Sequence, residues 1–114
     1  MAKSEYRLNG DFNTFLNIVN NGILKGSLSA SFEDGSDLQI GNVRCAVRVY
    51  ERYSMLGKNR VSLNVTLLGD GHELYLSAIT SGGSQAVFFK INTFGEEAFL
   101  SCLDRIVNNY KGTL

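Results

Sequence analysis

Arg60-Val61-Ser62-Leu63-Asn64-Val65-Thr66-Leu67 decides the fold class. Every second residue is apolar and the intervening ones are polar. A period of two places one set of side chains on each face of a strand, so this stretch predicts a half-buried β-strand. Gly69-Asp70-Gly71-His72 follows and predicts a tight hairpin turn. Leu74, Leu76 and Ala78 then resume the alternation on a second strand, antiparallel to the first because the connection is so short.

Toward the N-terminus, Val43, Cys45, Val47 and Val49 alternate with Arg44, Ala46, Arg48 and Tyr50, and Leu56-Gly57-Lys58-Asn59 predicts the turn that joins this strand to the central one. Earlier still, Leu28, Ala30 and Phe32 alternate with Ser27, Ser29 and Ser31, which predicts a half-buried strand closed by a turn at Glu33-Asp34-Gly35-Ser36-Asp37. Toward the C-terminus, Ser81-Gly82-Gly83-Ser84 predicts a turn, and Ala86 to Ile91 a last strand.

Two segments have the helical period. Glu5-Tyr6-Arg7-Leu8 predicts a short first strand and Asn9-Gly10 a turn, after which Asp11 is placed to cap a helix whose apolar face is Phe12, Phe15, Leu16 and Val19. Gly22 is expected just past its end. Thr93 and Glu96 have capping-box spacing at the start of a second helix, with Phe99, Leu103, Ile106, Val107 and Tyr110 as its apolar stripe and Gly112 at its end. Glu96 and Glu97 are then first-turn acids that complement the helix dipole. The expected fold is α+β: one domain over residues 1–114, in two layers. An antiparallel sheet of five to six strands carries two helices on one face, in the order β-α-β4/5-α.

Composition narrows the function. The chain has 114 residues, 44% hydrophobic and 19% charged, enough for one core and too ordered in character for a disordered segment. Eleven Lys and Arg balance eleven Asp and Glu, so the whole-protein field that drives nonspecific nucleic-acid binding is absent, and a nucleic-acid partner is disfavoured. Met1-Ala2-Lys3-Ser4-Glu5 is charged and has no apolar core of a signal peptide, and no apolar run reaches membrane-spanning length. The expected compartment is the cytoplasm, with no membrane partner and with Cys45 and Cys102 as reduced core thiols.

No catalytic set, metal site or cofactor site emerges, so the expectation is a protein that is not an enzyme. His72 is the single histidine and sits in a Gly-Asp-Gly-His turn, where Asp70 and Glu73 are its only near neighbours in sequence. That spacing has no metal-ligand specificity. Ser81-Gly82-Gly83-Ser84 is not followed by a helix N-terminus, so it is neither a phosphate loop nor a dinucleotide turn.

If Val43, Cys45, Val47, Val49 and Val61 to Leu67 all turn toward the helices, the opposite face of the sheet carries Arg44, Arg48, Tyr50, Arg52, Arg60 and Tyr75, together with Ala46, Ile79 and Phe88. Arginine mixed with aromatics is the composition enriched at protein interfaces. An ordinary solvated face is the competing reading; the expected function is a noncatalytic binding module that self-associates as a homodimer through this face.

The β-α-β4-α order resembles that of TBP-like and helix-grip folds over the whole chain. A helix-grip resemblance implies the alternative reading, a small apolar ligand held between the sheet and the C-terminal helix, near Phe88, Phe89, Phe94, Phe99 and Leu103. The stretches Gly41-Asn42-Val43-Arg44-Cys45-Ala46-Val47-Arg48-Val49-Tyr50-Glu51-Arg52-Tyr53 and Thr80-Ser81-Gly82-Gly83-Ser84-Gln85-Ala86-Val87-Phe88-Phe89-Lys90-Ile91-Asn92-Thr93-Phe94-Gly95-Glu96-Glu97 are similar to a family of small proteins of unknown function from Gram-positive anaerobic bacteria. That resemblance implies no catalytic residues.

Overall fold

The computed structural model describes the backbone of residues 1–27, 29–54, 59–82 and 89–113, and the side chains of those residues other than 54, 59, 89–94, 112 and 113. Along the chain it has β1 (Ala2–Asn9), α1 (Phe12–Gly26), β2 (Ser31–Ile40), β3 (Val43–Ser54), β4 (Asn59–Asp70), β5 (Glu73–Gly82) and α2 (Phe89–Thr113). The five strands form one sheet in the order β1-β5-β4-β3-β2, with every pair antiparallel. The fold is thus α+β in the order β-α-β4-α. The strand decided by Val61 to Leu67 lies at the centre of the sheet.

Both helices cover the same face. On it Val61, Leu63, Val65 and Leu67 of β4 and Leu74, Leu76 and Ala78 of β5 are buried. They pack with Phe12, Phe15, Val19 and Ile23 of α1 and with Phe99, Leu100, Leu103 and Val107 of α2 in one hydrophobic cluster. Burial of each such large side chain stabilises the fold by about 1.5–3 kcal/mol relative to exposure.

α1 starts where Asp11 predicts. Asp11 is extended, and its carboxylate accepts from the Thr14 N–H at 3.0 Å and the Thr14 hydroxyl at 2.8 Å. Those two donors hold the Asp11 carboxyl below its usual pKa, the backbone one most strongly. The helix does not stop at Gly22. The stripe Phe12, Phe15, Val19 continues through Ile23, and the helix runs to Gly26. Gly22 is the point where α1 and α2 cross: a Cβ there would lie 2.6 Å from Ile106 Cδ1 and 2.8 Å from Ile106 Cγ1.

Three further expectations are corrected. Glu33 to Asp37 is no turn but the middle of β2, which continues past a register shift between Phe32 and Asp34. The extra residue of a bulge lets a strand absorb a Gly- and Asp-containing run without turning back. No sixth strand ends at Ile91, because α2 already begins at Phe89; residues 83–88 lie outside those described. With α2 starting there, Thr93 and Glu96 are internal to the helix rather than at its N-terminus, and Glu96 and Glu97 are not first-turn acids; the helix ends one residue past Gly112. Glu96 is instead buried at 6% exposure, with Oε2 2.7 Å from the Met1 amino group. That contact is an ion pair by distance only, since Oε2 accepts no hydrogen bond of proper geometry. No helix among the described residues is long and apolar enough to cross a membrane.

Candidate functional site

The placement of β3 determines what each face of the sheet can do. Arg52 pairs with Val61, Tyr50 with Leu63, Arg48 with Val65, Ala46 with Leu67 and Arg44 with Gly69. Direct cross-strand partners point to the same face. The even-numbered residues of β3 therefore face the helices, and Val43, Cys45, Val47 and Val49 face away. Of the residues expected on the open face, Arg44, Arg48, Tyr50 and Arg52, with Ala46, lie on the helix side instead. Arg60 and Tyr75 share the open face.

The helix-side residues of β3 are held by specific partners. The Arg44 guanidinium stacks 4.2 Å over the Phe12 ring and donates to Asn13 Oδ1 at 2.9 Å. The same ring rests against Gly69, where a Cβ would come within 2.6 Å of it. Arg48 pairs with Asp37 of β2 at 2.9 Å and donates to the Val47 carbonyl. Arg52 lies 5.0 Å over the Phe99 ring, donates to Ser27 Oγ at 3.1 Å and has Cys102 Sγ at 3.8 Å. Tyr50 is fully buried, and its hydroxyl donates to Asn20 Oδ1 at 2.8 Å. Burial pushes its phenol up to about 12, against the opposing charge of Arg48. Long arginine stems cover apolar surface while their heads keep polar partners. This row accordingly clamps β3 to α1, α2 and β2.

The open face has a different composition. Register aligns its side chains in rows that cross all five strands. One row is Leu38, Cys45, Leu68, Tyr75 and Arg7; the next is Ser36, Val47, Thr66, Ser77 and Glu5; the third is Asp34, Val49, Asn64, Ile79 and Lys3. Ile40 and Val43 extend the apolar area at one end. Leu38 is 60% exposed, Ile40 85%, Leu68 42% and Ile79 38%. Burial, and next to it the Glu5 carboxylate, hold the Tyr75 phenol above its ordinary pKa. At the other end of the face, Arg60 pairs with Glu51 at 2.8 Å. A depression of about 550 Å³ opens between Arg7, Val43, Leu68, Asp70, Glu73 and Tyr75.

His72 lines a second, smaller depression of about 410 Å³ with Asp11, Asn42, Arg44 and Asp70. The fold brings Asp11 toward His72, which sequence spacing does not reveal, because the Gly10 N–H donates to the His72 carbonyl at 2.9 Å. Asp11 is already committed to capping α1. Among the described residues no group of three or more His, Cys, Asp and Glu is placed to hold a metal.

For the alternative pocket, Phe99 and Leu103 are fully buried within the core cluster. The side chains of Phe88, Phe89 and Phe94 lie outside the described residues. Cys102 is buried as expected, whereas Cys45 sits half-buried on the open face between Leu38 and Leu68.

No curated protein and no solved structure matches this chain. A family match runs almost end to end, over residues 1–111, and the chain belongs to that family, the Family of unknown function (DUF6054).

Proposed function

We propose that this protein is a noncatalytic interaction module that self-associates through the open face of its sheet. The observation that carries this reading is the apolar area Leu38, Ile40, Val43 and Leu68, with Ile79 exposed two rows away, on the one face that neither helix covers. A contiguous exposed apolar patch rimmed by polar side chains marks an interaction surface.

Size and charge favour a second copy as the occupant. The five strands share about eight residue rows, so at ~3.4 Å per residue and ~4.8 Å per strand the face covers about 600 Å² per protomer. Two such faces total about 1,200 Å², the lower end of the range for specific interfaces. The rim carries both signs, Lys3, Glu5 and Arg7 on β1, Asp34 on β2 and Asp70 and Glu73 at one end, so one face can complement another of its kind.

Edge-to-edge pairing through β2 has less support. Glu33, Asp34 and Asp37 give β2 three acids and no base, and two β2 strands side by side would bring those acids together. The helix-grip alternative also has less support, since Phe99 and Leu103 are packed core.

Sedimentation equilibrium tests the proposal over roughly 1–100 µM, a range that captures a micromolar dimer. The expected mass is twice 12.5 kDa at the upper end. Leu68→Asp and Ile79→Lys, both at exposed positions, should give folded monomers with unchanged circular dichroism. A wild-type protein that stays monomeric throughout overturns the proposal.

A further inference from the structure

We infer that Asp34 guards the outer edge of β2 against strand addition by a second copy, because its carboxylate occupies a backbone N–H that the added strand would need. This edge is separate from the face proposed above to self-associate.

β2 is an edge strand of ten residues, and all ten are exposed. Gly41-Asn42 is a two-residue turn, so Ile40 and Val43, which flank it, exchange both backbone hydrogen bonds. Hydrogen-bonded and non-hydrogen-bonded pairs alternate from there. Leu38, Ser36 and Asp34 therefore direct their N–H and C=O groups at β3, and Gln39, Asp37 and Gly35 direct theirs outward. The register is unbroken from Asp34 to Ile40, and the stretch contains no proline. Phe32, Leu38 and Ile40 add exposed apolar side chains. A long exposed edge of this kind is a template for another strand unless side chains blunt it.

The three acids of β2 are used differently. Glu33 Oε2 accepts from the Ser31 hydroxyl at 2.5 Å, and Asp37 pairs with Arg48 at 2.9 Å. Asp34 Oδ1 accepts from the Gly35 N–H at 2.8 Å, one of the outward donors. A bond from N–H to a carboxylate is charge-assisted and stronger than its neutral counterpart. A strand laid along the edge has to displace it. When that strand is a second β2, both copies carry the cap and bring their acids alongside one another, so the hindrance acts twice.

Sedimentation velocity over roughly 1–100 µM compares the wild type with D34A, D34N and the double variant D34A/Q39P. Asp34 is exposed, so these changes leave the core intact. D34A removes both cap and charge, and edge association should strengthen about tenfold or more. D34N keeps an acceptor oxygen and should fall well short of D34A. Gln39→Pro deletes an outward N–H, which edge strands accept, and should return D34A to wild-type behaviour. On a wild-type dimer the second interface of D34A builds open-ended chains; on a wild-type monomer it builds a dimer and stops. Either pattern supports the guard, and the wild type alone decides the self-association of the face.

Amide exchange reads the cap directly. In the wild type the Gly35 amide should exchange several-fold more slowly, relative to its intrinsic rate, than those of Asp37 and Gln39, and D34A should abolish the difference. Four results overturn the guard: D34A keeping the wild-type mass over the whole range, D34N associating as strongly as D34A, the double variant associating like D34A, or a Gly35 amide with no such protection.

Discussion

Tyr50→Phe tests the placement of β3 more directly than any change on the surface. In the structure the Tyr50 ring is fully buried, packs edge-on to Phe32 at 5.9 Å and donates its hydroxyl to Asn20 of α1. The phenol stands at about 12 when folded, against an ordinary value of 10.0. Below pH 10 both states carry the proton and stability is independent of this group. Between 10 and 12 the unfolded chain releases the proton and the folded protein keeps it, so stability falls as pH rises, and the loss is complete above 12. Two units correspond to about 2.7 kcal/mol at 1.36 kcal/mol per unit. The hydroxyl lies on the part-buried side toward Asn20, and solvent screening reduces this to about 1–2 kcal/mol.

Tyr50→Phe removes one hydrogen bond, which costs about 1 kcal/mol at neutral pH. It also removes the alkaline loss. Urea unfolding followed by circular dichroism at pH 7, 9 and 11 should therefore show the wild type ahead by about 1 kcal/mol at pH 7, with the gap closing toward zero by pH 11. The comparison with the variant is needed because Tyr6, raised by burial and then by its bond to Asp104, and Tyr75 lose stability in the same direction. A gap that stays constant across the range would falsify the buried placement, since a Tyr50 on the open face would titrate near its ordinary value in both states.

Two further predictions concern the helices. Gly22→Ala brings a Cβ against Ile106 and should destabilise the fold by about 1 kcal/mol in chemical unfolding despite the better helix propensity of alanine; in an Ile106→Ala background the same change should stabilise by about 0.5–1 kcal/mol, and a stabilising effect in the wild type would refute the crossing. Asp11→Ala removes the cap on Thr14 and should cost about 1 kcal/mol at pH 7, a difference that shrinks as acid protonates Asp11 through its lowered pKa; equal costs at pH 7 and pH 2 would count against the cap.

The sheet was legible where short turns fix parity and illegible where a longer connection does. The two-residue step from Asp70 to Glu73 forces Leu67 opposite Leu76, so the β4–β5 pair reads directly from its alternation. Between Ser54 and Asn59 stand four residues, and that even number puts Val61 opposite Arg52 rather than opposite a valine. Periodicity alone assigns Val43, Cys45, Val47 and Val49 inward because hydrophobicity scales count arginine as polar throughout. They miss that Arg44 and Arg52 contribute apolar stems, and rings on α1 and α2 to stack on. The end of α1 was illegible for a related reason: Gly22 serves a close helix crossing, a tertiary fact, while its local chemistry suits a helix end. In β2, Asp and Gly carry turn chemistry that pairing with β3 overrides. The open surface could be suspected from the sequence, but not its composition, because the misassigned parity exchanged an apolar stripe for an arginine row.

That exchange bears on the proposed self-association. Were the Arg row outward, the open face would be a mixed surface of Arg44, Arg48, Arg52 and Tyr50 rather than an apolar one. The observed register puts three β-branched valines and a cysteine outward beside Leu38, Leu68 and Ile79, and assigns the charged side chains of the same strand to clamp two helices. A one-residue slip of β3 would send Val43 to Val49 inward, but it would also expose Tyr50 and break the Arg44–Phe12 and Arg52–Phe99 stacks. The fold thus retains a register that leaves apolar side chains in water, which is unfavourable for an isolated chain. Under the proposed self-association that apolar stripe is what a second copy covers, and the acids along β2 disfavour pairing at that edge.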